Sequence, residues 1–506
     1  MRPRLFASLL FALGSHLFAS SAQAQLSYSV RMETESKTWE VTCELENPGA
    51  GDFEFWLARW TAGAYHRADY ARFISEFEAF GEGGEPLEVK RQGQTHFALG
   101  AAGHRKIRLR YASPSMSKDV YADGVIDVEA NRIADDFAFL NSVSLLGFVP
   151  GRLEEPHSVR FELPEGWKIA CVVEPDAQGT YRTPSFYRLE DTPFLFSPSL
   201  RTVELEAGGK PLSVSAHGLD EDSMDLLVED CYRLVEACSE LLGGLPYPHY
   251  EFLFGFLPHG GGSGLEHSFS TLILFNANAP LSAARGLTAH EFFHLFCAER
   301  IHVEALQKPD YTQTFQSGTI WVNESITEYM SRLLLLYAGM QSPEEFLASL
   351  SEPDPQLEAM RAAGMIQPGP VVSRAASDWK DMGALMSFAG SVYQHGARVM
   401  FALDMEMRRL SAGRTGLEEL VEHLMQEYVA KDRGFPEDGM LEILNRVAGH
   451  DLSGFYADHI EGLKPLDLNA SLGVIGYGLR GGELIELEKL SAAQASAREA
   501  FFSPAD

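Results

Sequence analysis

Residues 290 to 294 read His290, Glu291, Phe292, Phe293 and His294, two imidazoles four positions apart with a carboxylate beside the first. On a helix this spacing sets both rings on one face. Zinc takes neutral nitrogen donors in a tetrahedral array, and a catalytic site leaves one position open for water. A carboxylate next to that position can accept the water's proton, which makes Glu291 the candidate general base. Two histidines also fall at this spacing on ordinary helices, so the pattern carries weight only with a third ligand.

Two solutions for that ligand differ in spacing. The metzincin extension needs a glycine at position 297 and a histidine at 300. This chain has Cys297 and Arg300 there, and His302 is out of step. The alternative is a carboxylate from a following helix. Glu324 supplies one at the start of the apolar-periodic segment from Ile320 to Tyr337, and Glu328 follows one turn later. A division of labour follows: Glu324 binds metal, while Glu328 accepts a hydrogen bond from the far nitrogen of a zinc histidine. Cys297 reads as a small buried residue.

The whole pattern resembles the glycyl aminopeptidase family of gluzincin zinc metallopeptidases. Its metal helix reads H-E-x-x-H-x-W-N-x-K-R-I, followed after a long insertion by W-V-x-E-G; here these are His290 to Ile301 and Trp321 to Ser325. Gly264 to His267 resembles that family's G-G-L-E-H, Tyr393 to Gly396 its Y-x-K-G, and Trp60 to Tyr65 the W-x-P-G-x-Y of its β-domain. The resemblance implies an α+β multidomain fold: an N-terminal antiparallel β-domain, a thermolysin-like zinc catalytic domain and a C-terminal helical domain.

It also implies one zinc ion per chain and peptide substrates with a free N-terminus. Tyr393 becomes the candidate donor to the tetrahedral oxyanion. Glu266, beside Gly264 in a glycine-rich stretch, becomes the candidate anchor of the substrate's α-ammonium, with the resemblance pointing to a small first residue such as Gly or Ala. Ser263, Cys297, Glu299, Ser325 and His395 replace the family's usual Gly, Asn, Lys, Gly and Lys, which bears on substrate choice and rate. The stretch beyond Leu472 is too short for the PDZ domain often found at that family's C-terminus. Two rivals stay open: a zinc endopeptidase of the same fold, and a non-catalytic binding protein that retains it.

The elements that must position these residues follow from periodicity. From Gln25 to Leu219, apolar residues alternate, as in Tyr28, Val30, Met32 and in Ile107, Leu109, Tyr111, with Gly81 to Gly84 among the turn clusters. This predicts a β-domain over 25–219. At Asp220 the period becomes helical, and Leu227, Cys231, Leu234, Cys238 and Leu241 share one face up to Gly243. A catalytic domain is expected over 220–380, with strands at Tyr250–Leu257 and Phe269–Phe275 flanking a glycine-rich loop from His259 to Gly264. Helices are expected over Leu281–Glu299, Ile320–Tyr337, Val392–Leu410, Leu417–Val429, Met440–Ala448 and Leu452–Ile460. The helical domain would span 381–472, and a short tail 473–506.

The first residues, with Arg2 and Arg4 ahead of an apolar run and then Ala22, Gln23 and Ala24, read as an export signal over 1–24 cleaved near Gln25. A periplasmic or secreted protein is expected. A formal charge of −30 argues against nucleic-acid partners, and no later run is apolar enough for stable membrane insertion. Five cysteines are not a disulfide framework. Cys231 and Cys238 stand too far apart along one helix to bridge; Cys43 and Cys171 remain a conceivable pair.

Overall fold

The computed structural model describes residues 25–47, 49–65, 67–116, 127–258, 261–351, 355–366, 369–371 and 382–502. The expected signal segment, His259 and the 380/381 boundary lie outside the described residues.

In the first half, alternation becomes a buried face. Leu26, Tyr28, Val30 and Met32 point inward from the strand Leu26–Glu33, and Trp39, Val41, Cys43 and Leu45 from Thr38–Glu46. The two strands pair antiparallel with Tyr28 opposite Cys43, so both apolar sets face one core. A six-stranded, a four-stranded and a three-stranded sheet make up this half. Their ladders are antiparallel except one: Leu26–Glu33 also pairs parallel with His157–Glu162. The long stretch of chain between those strands permits that arrangement, which a hairpin would not.

The second half is built on a mixed sheet of β1 (Arg201–Ala207), β2 (Lys210–His217), β3 (Tyr250–Leu257), β4 (Ser263–His267) and β5 (Ser270–Asn276), in the order β1-β2-β3-β5-β4. Two strands from the segment expected within the β-domain, β1 and β2, thus join the sheet that carries the site. β3 is the central parallel strand, buried along nearly its whole length, which explains its continuous apolar sequence. β4 is an edge strand, antiparallel to β5.

Helix α1 (Glu221–Leu242) starts at Asp220, whose side chain accepts from Ser223 N, and stops at Gly243 with φ 73°. α2 (Arg285–Phe293) and α3 (Ile320–Tyr337) pack together. α3 is buried on nearly every side because it runs through the core, its polar residues Asn323, Glu324, Ser325 and Thr327 included. α4 (Gly396–Leu410) and α5 (Leu417–Glu427) are tied to it by a buried ion network. Arg408 meets Asp404 at 3.1 Å and Glu418 at 2.5 Å, and Tyr329 OH donates to Asp404 at 2.6 Å.

Three expectations need correction. The first metal helix ends at Phe293 rather than Glu299, because tight-turn hydrogen bonds from Leu295 N to Phe292 O and from Phe296 N to Phe293 O replace the helical ladder. The stretch 473–506, expected only as a short tail after the last helix, has structure of its own. Tyr477–Arg480 and Glu483–Glu486 form a hairpin around Gly481 and Gly482, both at positive φ, before a last helix over Ala492–Phe502. All five cysteines are free, Cys43 and Cys171 included.

Candidate metal centre

The packing of α2 against α3 sets three donor atoms in a triangle. His290 Nε2 and His294 Nε2 are 3.0 Å apart, and each is 3.5 Å from Glu324 Oε2. Bonds of about 2.0–2.2 Å at tetrahedral angles would put donors roughly 3.3–3.6 Å apart. Both histidine–Glu324 distances fall in that range and the histidine–histidine distance is slightly short of it, so the three residues fit a zinc ion with a small outward shift of one ring. Outer contacts leave the two Nε2 lone pairs facing inward. His294 Nδ1 donates to the Cys297 carbonyl at 2.7 Å, and His290 Nδ1 lies 2.8 Å from Glu328 Oε2. The early end of α2 is what returns the Cys297 carbonyl to His294.

Charge makes the same case as geometry. Glu266, Glu291 and Glu324 are all at least 94% buried, and each has a carboxylate oxygen without a hydrogen-bond partner: Glu266 Oε1, Glu291 Oε2 and Glu324 Oε2. Ionised together, such buried carboxylates call for a cation among them. Burial opposes ionisation of Glu324, but His294 and His290 hold its carboxyl at about 2. Glu328 is likewise held at about 2 against burial, by His290 and then Arg332. Burial pushes Glu291 up to about 7 against the pull of the two imidazoles, within the range useful to a proton carrier at neutral pH.

The remaining candidates stand on three elements. Glu291 is on α2 beside His290, and the edge strand β4 brings Gly264 against it; a β-carbon at Gly264 would stand 2.5 Å from Glu291 Oε1. Glu266 is on the same strand. Tyr393 sits in a π-helical turn, Ser391–His395, that leads into α4, and its ring is centred 5.6 Å from that of His290. Ser325 explains part of that turn, because its hydroxyl donates to the Val392 carbonyl at 2.6 Å. Gly396 leaves room for it, since a β-carbon there would lie 2.3 Å from Ser325 Oγ.

Several contributors escaped sequence reasoning. Arg332 bridges Glu328 at 2.6 Å and Gln394 at 2.9 Å, linking the outer carboxylate to the turn that carries Tyr393. Its position one turn after Glu328 was a visible signal. Asn323 donates to Tyr65 OH at 2.8 Å, so the front half reaches the residue beside Glu324. Trp60 joins the same seam, stacked on Phe315 at 5.1 Å. Nothing local in the sequence announces these long-range pairs.

Beyond Glu266 opens a cavity of about 180 Å3 between the two halves, lined also by Tyr187, Glu190, Asp191 and Glu299. Burial, then Asp191, push the Glu299 carboxyl up to about 8. Burial also raises Glu190 to about 7, against a hydrogen bond from Thr61.

Comparison with known proteins agrees with this architecture. Residues 27–198 match the peptidase M61 N-terminal domain, and residues 283–399 match the M61 glycyl aminopeptidase domain. An aminopeptidase N family protein from Idiomarina loihiensis has a similar structure, with a TM-score of 0.78 at 22% identity over 90% of this chain and 78% of that one. An M1 zinc metallopeptidase from Deinococcus radiodurans, solved with a Tyr-Ser-Ala substrate, gives 0.52 at 13% identity over 88% and 95%. No curated protein sequence matches the chain.

Fold and donor set define a zinc metallopeptidase of the gluzincin kind, acting on peptides. Within that class, the chain belongs to the M61 glycyl aminopeptidase family. Among the described residues, no helix is long and apolar enough to cross a membrane.

Proposed function

We propose that the protein releases N-terminal residues from peptides, using one zinc ion held by His290, His294 and Glu324. The observation that carries the exopeptidase reading is Glu266 Oε1, a buried oxygen with no hydrogen-bond partner in the wall beside the candidate metal donors. Its nearest cationic neighbour is His294 Nδ1 at 3.9 Å, which already donates to the Cys297 carbonyl. A free α-ammonium placed there gains a charge-assisted pair, whereas an internal peptide bond would leave the carboxylate buried and alone.

Zinc bound at this triangle would acidify a water and polarise the scissile carbonyl. Glu291 then takes the water's proton and delivers it to the departing amine. Tyr393 donates to the oxygen that becomes negative as the carbonyl carbon turns tetrahedral. Glu328 and the Cys297 carbonyl hold the two imidazoles in the orientation and tautomer that expose Nε2. Gly264 lets the edge of β4 approach Glu291, where a peptide can lie along the strand.

Kinetics on one peptide with free and acetylated N-termini test the reading. We expect acetylation to lower kcat/KM by at least about 100-fold, the loss of a buried charge pair, and Glu266→Ala to narrow that gap. Equal cleavage of both forms by the wild type would make the enzyme an endopeptidase.

The family description suggests glycine or alanine as the released residue, but the cavity beside Glu266 has room for a longer side chain. Export is proposed from the basic, apolar and small-residue order of residues 1–24. N-terminal sequencing of the mature protein should start near Gln25.

A further inference from the structure

Four carboxylates, those of Glu190, Asp191, Glu266 and Glu299, line the cavity beyond the metal donors. Their partners differ. Asp191 pairs with Arg188 at 2.5 Å. Glu190 accepts from two hydroxyls, Thr61 at 2.7 Å and Tyr311 at 2.9 Å. Glu299 is only partly buried and accepts at 2.6 Å from Ser268 Oγ. Glu266 Oε1 has no partner and the residue is 5% exposed.

The nearby cations do not fill the deficit. Arg188 is committed to Asp191, and Arg300 donates to the backbone carbonyls of Ser268, Pro246 and Glu299 while stacking on Phe269, so it attracts the Glu299 carboxyl without bonding to it. Neither lines the cavity; His267 and His302 do. Glu266 and Glu299 therefore face the cavity without a fixed positive charge hydrogen-bonded to either side chain. Burial keeps Glu299 protonated near neutral pH while the cavity is empty, and a cation that enters pairs with it as its proton leaves to solvent. One α-ammonium satisfies Glu266 and leaves Glu299.

We propose that this cavity is a side-chain site for a cationic N-terminal residue, arginine or lysine, whose side-chain charge pairs with Glu299 while its α-ammonium pairs with Glu266. The inference rests on the aminopeptidase reading above. The size suits it: a cavity of about 180 Å3 exceeds what glycine or alanine would fill. Its wall suits it as well, because Tyr187 and Tyr311 present aromatic surface against which a guanidinium can lie.

The test compares arginine with citrulline, which has nearly the same shape and no charge. Peptides that differ only in this first residue should show kcat/KM at least about tenfold higher for arginine, the effect of one charge-assisted pair. Glu299→Gln should bring the ratio towards unity, and Glu299→Lys should invert it. Calorimetry of L-arginine and L-citrulline on the zinc-loaded wild type gives the same comparison without turnover.

Cleavage of both peptides at equal rates would overturn the side-chain site and leave the aminopeptidase reading intact. So would a ratio unaltered in Glu299→Gln. If no free-amine peptide is cleaved, the aminopeptidase reading fails, and equal binding of the two amino acids would then refute the cavity as well. If the variants do not fold, the wild-type ratio still decides.

Discussion

Gly264 lies so near Glu291 that a β-carbon on the glycine would stand 2.4 Å from the glutamate Cγ. The φ of Gly264 is not in the positive range, so proximity rather than backbone conformation requires glycine here. Gly264→Ala should displace Glu291 and lower kcat by about 100-fold, the scale of a roughly 1 Å misplacement. Zinc content, read by elemental analysis, should stay near one per chain. Wild-type kcat in the variant would show that β4 or Glu291 gives way freely.

The 2.8 Å approach of Glu328 to His290 supports an outer-contact role, distinct from that proposed for Glu324 as a metal ligand. Glu328→Gln should weaken zinc affinity by about 10–100-fold without abolishing it. Glu324→Ala should lose zinc outright. Competition with a chelator separates the two, and equal affinity in Glu328→Gln and wild type would remove Glu328 from the site.

Tyr393 is placed by an unusual turn rather than by the regular packing of α4. Tyr393→Phe should lower kcat by about 10²–10³ while KM and zinc content change little. A variant with normal kcat and only a lower melting temperature would reassign the tyrosine to packing.

Glu251 offers a pH test outside the site. It lies on β3, 4% exposed, with Ser215 Oγ donating at 2.8 Å, and burial pushes its carboxyl up from 4.5 to about 7. Between those values the folded chain holds a proton that the unfolded chain releases, so this group's contribution to stability declines as pH rises through that window and is flat above it. The decline is at most about 3 kcal/mol. Glu251→Gln should therefore gain on the wild type as pH goes from 4.5 to 7, measured by denaturant unfolding. Parallel stability curves for the two proteins would contradict this.

How far the sequence could be read depended on the range of the interactions. Ile320–Tyr337 and Tyr250–Leu257 were legible to the residue because burial repeats along each element in a way that composition displays. That the candidate donors His290 and His294 share a face was legible from helical spacing, and the structure brings Glu324 to them. The turn after Phe293 was not, because it contains no glycine or proline to mark it. Its purpose is visible only once the Cys297 carbonyl is seen returning to His294. The late hairpin did carry its signal, in Gly481 and Gly482, but its strands are four residues each and too short for alternation to stand out. The acidic cavity could not be read at all, since Glu190 and Glu299 meet only through the packing of two halves.

The 2.8 Å bond from Asn323 to Tyr65 bears on how such a protein can evolve. Recombination readily exchanges modules that meet through forgiving surfaces. Here the donor is the immediate neighbour of Glu324 and the acceptor belongs to the front half, so a transplanted catalytic segment would arrive with a buried amide short of its acceptor. The two parts can diverge in sequence only in step with each other, and are inherited to advantage only as a pair.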